Sequence, residues 1–263
     1  MKSEALLEAR LLEAGYGEKK VIRGVSLEVY AGNITGLMGG NGSGKTTLLR
    51  CLANQLPHGG NCYVKGEKAE SMSLRTLASQ ISYLPQRSGV TIDLPVLDVV
   101  LMGVNTRLKL LQNPTGKQKE MAREALRKVG LEKEGESNYL SLSEGQKQLV
   151  MLARMMVEET DLFLLDEPDS ALDIPNRYLM MGYLRDMVME QEKAALICLH
   201  DAVLALEFCD VLLLLKEGRI QHRVFPKKDS LETIEKAFQN IYGNVRVLEC
   251  YDKEGKRHFT VLG

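Results

Sequence analysis

The chain has 263 residues, 44% of them hydrophobic and 26% charged, with a formal net charge of −1. That length suits one large domain or a domain carrying an insertion, and the near-neutral balance speaks against non-specific nucleic-acid binding. No apolar run approaches the roughly 18–20 residues that cross a bilayer, residues 1–10 carry Glu4 and Glu8 where a signal peptide would be apolar, and none of the five cysteines forms a C-x-x-C pair.

Residues 5–12 and 21–30 read as strands flanking a turn at Ala14-Gly15-Tyr16-Gly17. Asn33 to Met38 reads as a short buried strand ending in glycines, and Thr46 to Asn54 as a helix that stops before Pro57 and the Gly59-Gly60 turn. Strand-like stretches follow at Cys62-Tyr63-Val64 and at Ile81-Ser82-Tyr83-Leu84. From Val96 to Val157 the apolar spacing is helical, interrupted at Asn113-Pro114-Thr115-Gly116 and at 135–138. Strands return at 161–165, 195–199 and 211–215, separated by helices near 175–190 and 202–208. This βαβ alternation predicts an α/β fold, a mostly parallel sheet with helices on both faces. The helical stretch, 87–157, then reads as an insertion into a core formed by 1–86 and 158–225. Residues 226–263 form a tail with a helix near 230–240 and a hairpin of 245–251 and 258–261 turning at Lys253-Glu254-Gly255.

Gly39-Gly40-Asn41-Gly42-Ser43-Gly44-Lys45-Thr46 fits G-x-x-x-x-G-K-[ST] between a predicted strand and a predicted helix. Its glycines let successive N–H groups turn inward around a phosphate, Lys45 reaches the β- and γ-phosphate oxygens, and the Thr46 hydroxyl suits Mg²⁺. Thr47 belongs to the same binding segment. The apolar strand at 162–165 delivers Asp166 and Glu167 at its carboxyl end, where α/β sheets place ligand groups. Asp166 is expected to hold the Mg²⁺, and Glu167 to orient or deprotonate an attacking water. Leu142-Ser143-Glu144-Gly145-Gln146 offers a hydroxyl and N–H groups at a loop-to-helix junction, a second place for an anion. Two such sites in one chain suggest two copies, each completing the other's site.

In this order the motifs resemble those of the nucleotide-binding ATPase subunits of ABC transporters, and the resemblance covers about residues 5–225. Residues 142–146 resemble the family signature, Asp166-Glu167 the Walker B pair and Ser170-Ala171-Leu172-Asp173 the D-loop. Gln86 matches the Q-loop glutamine, His200 the switch histidine and Tyr16 the A-loop aromatic. The resemblance implies a RecA-like P-loop core with an N-terminal antiparallel β region and an inserted helical subdomain. It implies that Tyr16 stacks on adenine, that Gly39, Asn41, Gly42, Ser43, Gly44, Lys45, Thr46 and Thr47 bind the nucleotide, and that Gln86 reaches the metal or the water. It further implies that His200 contacts the γ-phosphate, and that Ser143, Gly145, Gln146 and Asp173 act across a dimer holding two ATP. Departures stand out: Gly40 where proline is frequent, Glu144 where glycine is, Asp169 where threonine is, and Lys147 where arginine is.

The segments 73–78, 81–86 and 96–103 resemble those of importers for iron-siderophore, haem and cobalamin. The implied partners are a second ATPase subunit, an integral membrane permease and, indirectly, a substrate-binding protein. No nucleic acid is implied, and the subunit would sit peripherally on the cytoplasmic face of the membrane. Another ABC transporter, or a soluble ABC ATPase of iron–sulfur cluster assembly, is the alternative.

Overall fold

A computed structural model describes residues 5–86, 89–105, 108 and 112–263. Two long strands, β1 (Ala5–Tyr16) and β2 (Lys19–Tyr30), open the chain as an antiparallel hairpin. They run further than the sequence pattern suggests: Ala14, Gly15 and Tyr16 lie in the ladder, and the turn shrinks to Gly17-Glu18. Gly15 makes that possible, because a Cβ there would stand 2.0 Å from the Lys19 carbonyl oxygen. Only the absence of a side chain lets the two backbones approach so closely.

Next come β3 (Ile34–Met38), α1 (Lys45–Leu52), β4 (Gly59–Val64), β5 (Glu67–Lys68), α2 (Leu74–Gln80) and β6 (Ile81–Leu84). The helical stretch supplies α3 (Val96–Leu101), α4 (Gly116–Lys128) and α5 (Glu144–Val157). Thr115 and Ser143 cap the last two with reciprocal bonds to Gln118 and Gln146, so each helix starts where its first N–H groups find side-chain acceptors. The core resumes with β7 (Leu162–Asp166), α6 (Ile174–Glu190), β8 (Ala194–Cys198), α7 (Ala202–Phe208), β9 (Val211–Lys216) and β10 (Arg219–Val224). The tail holds α8 (Leu231–Tyr242), β11 (Arg246–Tyr251) and β12 (Arg257–Leu262). Neither α2 nor β10 was expected. β10 alternates exposed and half-buried positions up to the buried Val224, and returns from β9 through Glu217-Gly218, both at positive φ, the backbone that a two-residue hairpin requires.

The central sheet has the order β10-β9-β3-β8-β7-β6, parallel except for β10. A smaller antiparallel sheet, β2-β1-β4-β5, lies on one side. Every residue of β3, β7 and β8 is buried, as strands covered on both faces must be. Alternation sorts them between two cores. Leu162, Leu164, Ala194 and Leu196 pack with β1, β2 and α1, whereas Phe163, Leu165, Ala195 and Ile197 pack with the helices from α3 onward. The tail's Ile234, Phe238, Val247 and Phe259 belong to that second core. The register aligns the carboxyl ends of β3, β8, β7 and β6, pairing Leu37 with Cys198, Asp166 with Cys198 and Leu84 with Leu165.

Candidate active site

Four neighbouring strands deliver the site from their aligned ends. β3 leads into the glycine loop, β6 into Gln86, β7 into Asp166 and Glu167, and β8 into His200. This is the edge of an α/β sheet where helix starts and loop N–H groups gather.

In the loop, Gly42 and Gly44 adopt φ of 73° and 109°, a region that L side chains disfavour. Gly39 is needed for space: a Cβ there would lie 2.2 Å from the Leu215 carbonyl oxygen and 2.7 Å from Ser43 Oγ. Lys45 is buried, its Nζ donating to the Gly39 carbonyl at 3.0 Å and standing 3.8 Å from Glu167 Oε1. A cavity of about 340 Å³ opens here, lined by Tyr16, Lys19, Val21, Asn41, Gly42, Ser43, Gly44, Lys45, Thr46, Thr47 and Glu167. Tyr16 stands at its mouth, exposed, with Arg50 Nη1 donating to its hydroxyl at 3.4 Å. The sequence reading missed Lys19, Val21 and Arg50. Lys19 and Val21 carry no motif, and Arg50 looks like an ordinary last-turn helix cation.

Asp166 is 1% exposed. Burial pushes its carboxyl pKa up, a rise that a hydrogen bond from Thr46 opposes. Asp166 Oδ1 and Ser43 Oγ are both buried without a hydrogen-bond partner. A buried carboxylate oxygen is costly when nothing pairs with it. Oxygen ligands left open beside a phosphate-sized nest suit a hard cation and its phosphates, so these residues fit Mg²⁺.

Glu167 gathers the other groups. Gln86 Nε2 donates to its Oε2 at 2.7 Å, and His200 Nε2 lies 2.5 Å from its Oε1. With Lys45 beside it, three predicted catalytic groups converge on this carboxylate. Its φ of 52° is left-handed, and its side chain lines the cleft.

The remaining predicted residues lie elsewhere. Ser143, Gly145, Gln146 and Asp173 do not line the cavity. Ser143 Oγ accepts from the Gln146 N–H at 3.2 Å while Gln146 Oε1 accepts from the Ser143 N–H at 3.0 Å. Gly145 abuts the segment before Asp173, where a Cβ would lie 3.0 Å from the Ala171 carbonyl oxygen. Asp173 caps α6, accepting from the Asn176 N–H at 3.1 Å. Glu144 points into solvent and pairs with Lys147 at 2.8 Å. Asp169 is buried with Oδ1 unpartnered, and burial raises its pKa.

Residues 22–170 match the family profile described as ABC transporter. A protein of Helicobacter pylori (strain ATCC 700392 / 26695), described as an iron chelatin transport ATP-binding protein, is 34% identical over 82% of this chain and 85% of its own length. The manganese transport system ATP-binding protein MntB of Bacillus subtilis (strain 168) is 35% identical over 87% and 88%. Among solved structures, an ABC transporter described as of the metal-chelate type, in an inward-facing conformation, is similar at a TM-score of 0.81 and 25% identity, covering 99% of this chain and 98% of that one. With the glycine loop, the strand-end carboxylates and the cleft they form, these likenesses show that the chain belongs to the ABC transporter family, as an ATP-binding and ATP-hydrolysing subunit.

Proposed function

We propose that the chain drives uptake of a metal ion or metal chelate by hydrolysing ATP between two copies of itself, seated on a membrane permease. The convergence of Gln86, His200 and Lys45 on Glu167 carries the catalytic part of this reading. Phosphoryl transfer to water asks the protein for positioning and charge rather than covalent chemistry. Glu167 accepts the proton of the attacking water and His200 steadies the γ-phosphate. Lys45 and the loop N–H groups from Gly39 to Thr47 hold the β- and γ-phosphates. Tyr16 stacks on adenine, with Arg50 holding its hydroxyl. Thr46, Asp166 and Gln86 would hold Mg²⁺, which when bound neutralises phosphate charge.

Ser143, Gly145, Gln146 and Asp173 lie outside the chain's own cleft. That position supports their serving the ATP of the other copy. The division into a core (1–86 and 158–225), a helical subdomain (87–157) and a tail (226–263) fits the same reading, with the helical part facing the permease. Among the described residues no helix is long and apolar enough to cross a membrane. Membership of the ABC transporter family supports a subunit docked on the cytoplasmic side of a separate permease. The relatives named for iron chelatin and manganese transport support a metal or metal-chelate cargo, supplied through a substrate-binding protein.

Replacing Glu167 with Gln tests the core of this proposal. Turnover is expected to fall by about a hundredfold or more, the scale of losing a general base. ATP binding should persist, and size-exclusion chromatography with ATP and Mg²⁺ should show a stable dimer. Undiminished turnover would mean that Glu167 is not the group that takes the proton from water.

A further inference from the structure

Gln148 lies on α5, past the cap formed by Ser143 and Gln146, and belongs to none of the nucleotide-binding motifs. Its side-chain Nε2 donates to the main-chain carbonyl of Gln86 at 3.0 Å. Gln86 then turns its own side chain to Glu167 Oε2 at 2.7 Å, and Glu167 Oε1 meets His200 at 2.5 Å. A continuous set of hydrogen bonds therefore runs from the first turns of α5 to the carboxylate in the cleft. Pro85, just before Gln86, has no N–H with which to anchor the chain, so a tether from α5 matters more here than elsewhere. At the far end of this path the N–H groups of Ser143 and Gln146 each donate to the other's side chain. An incoming anion would compete for those donors and shift the start of α5.

From this we infer that Gln148 is a positioning residue that couples the two nucleotide sites of the dimer: it ties the signature helix, which meets ATP held by the other copy, to the placement of Glu167 over the chain's own ATP. The inference rests on the proposal that Ser143 to Gln146 act on the other copy's nucleotide. The coupling needs no long-range field. α5 is a helix of 14 residues packed through Leu149, Val150, Leu152 and Ala153, so a shift at its start moves Gln148 with it. Gln148 then carries the Gln86 backbone, and the Gln86 amide carries Glu167. Small misplacements of a catalytic group cost rate steeply while leaving nucleotide affinity largely intact.

The test uses mixed dimers of the full chain in which one copy carries Glu167→Gln, so that only the other copy's cleft hydrolyses ATP. Gln148→Met keeps the length and packing of the side chain but removes the donor. On the hydrolysing copy it is expected to lower kcat about fivefold to tenfold with KM for ATP nearly unchanged, the scale of one lost positioning hydrogen bond. On the silenced copy it should alter kcat by less than about twofold. Gln148→Lys, which restores a donor of similar reach, should recover most of the loss on the hydrolysing copy. Full kcat with Gln148→Met on the hydrolysing copy would overturn the inference. So would an equal loss from either position, or no recovery by Gln148→Lys, since both describe packing rather than a relay. Ser143→Arg provides the separate check on the underlying proposal. It should lower kcat by more than about tenfold on the silenced copy, whose signature serves the active cleft, and by no more than Gln148→Met does on the hydrolysing copy, where it acts only through α5. Harm confined to the hydrolysing copy would mean that the signature acts within its own chain, whatever Gln148 does.

Discussion

Asp166 and Glu167 are adjacent in the sequence, yet their side chains serve different places. Asp166 ends β7 in a buried position beside Thr46, while Glu167, at a left-handed φ, meets Gln86, His200 and Lys45 with its carboxylate. A non-glycine residue held there costs on the order of 1 kcal/mol, which the surrounding fold must offset. The pair was legible as a motif. The turn that separates the two roles was not, because a single φ angle leaves no mark on residue identity. Gly39 shows the opposite case, where identity and geometry coincide. Gly39→Ala would drive a methyl group against the Leu215 carbonyl and Ser43, distorting the phosphate nest while leaving the distant cores alone. The variant's affinity for ATP is expected to fall by about tenfold or more, the effect of about 1.4 kcal/mol, with the far-UV spectrum unchanged. Equilibrium binding of a fluorescent ATP analogue measures this directly, and normal affinity would mean that the loop tolerates a side chain there.

Elements in this protein are tied together by a few polar knots as well as by their apolar faces. Asp210, just before β9, accepts the Ile34 N–H at 2.9 Å, Arg185 of α6 at 2.7 Å and Lys227 of the tail at 2.8 Å. Burial alone would raise its carboxyl pKa. The hydrogen bonds from Lys227, Ile34 and Arg185 outweigh burial and hold it below the ordinary value. A carboxylate with a depressed folded pKa adds stability above its unfolded pKa and loses it as pH falls through the folded one. Asp210→Asn is therefore expected to destabilise the protein at pH 7 by about 2 kcal/mol, less than a fully buried pair because the side chain retains some solvent contact. The gap between variant and wild type in urea midpoint should close as the pH is lowered through the acidic range. A gap that stayed constant with pH would mean that the charge of Asp210 is not what holds these elements. None of this was visible in the sequence, where Asp210 is one acid among many. β10 escaped notice for a similar reason: Arg219 to Val224 is too polar to read as core and becomes a strand because β9 offers it an edge.

At the scale of the molecule, the tail packs into the same core as the helices of the central sheet. Phe238 is fully buried beside Ile234 and Ala237, in one cluster with Leu212 and Leu214 of β9. Phe238→Ala should cost about 3–5 kcal/mol, and the whole chain should still unfold in a single transition. Two separate calorimetric transitions, with only the lower one moved, would show the tail to be an independent unit. Much of this architecture follows from local chemistry that the sequence carries. The glycine loop needs small residues between a strand and a helix, and β7 and β8, covered on both faces, need the apolar runs at 162–165 and 194–198. Ser143 and Thr115, each with a Gln at the third helical position, mark where α5 and α4 begin. These features established the α/β fold, the ATP-binding loop, the carboxylate pair and the order of the motifs. What tertiary structure alone decided was which distant residues meet. Gln86, Glu167 and His200 come together only because β6, β7 and β8 are neighbours with aligned carboxyl ends. Arg50 reaches Tyr16, and Gln148 reaches Gln86, across a fold whose register no local pattern records. Local patterns report the conformation of a segment. Contacts between segments depend on strand order and pairing, which are set by the packing of the whole core.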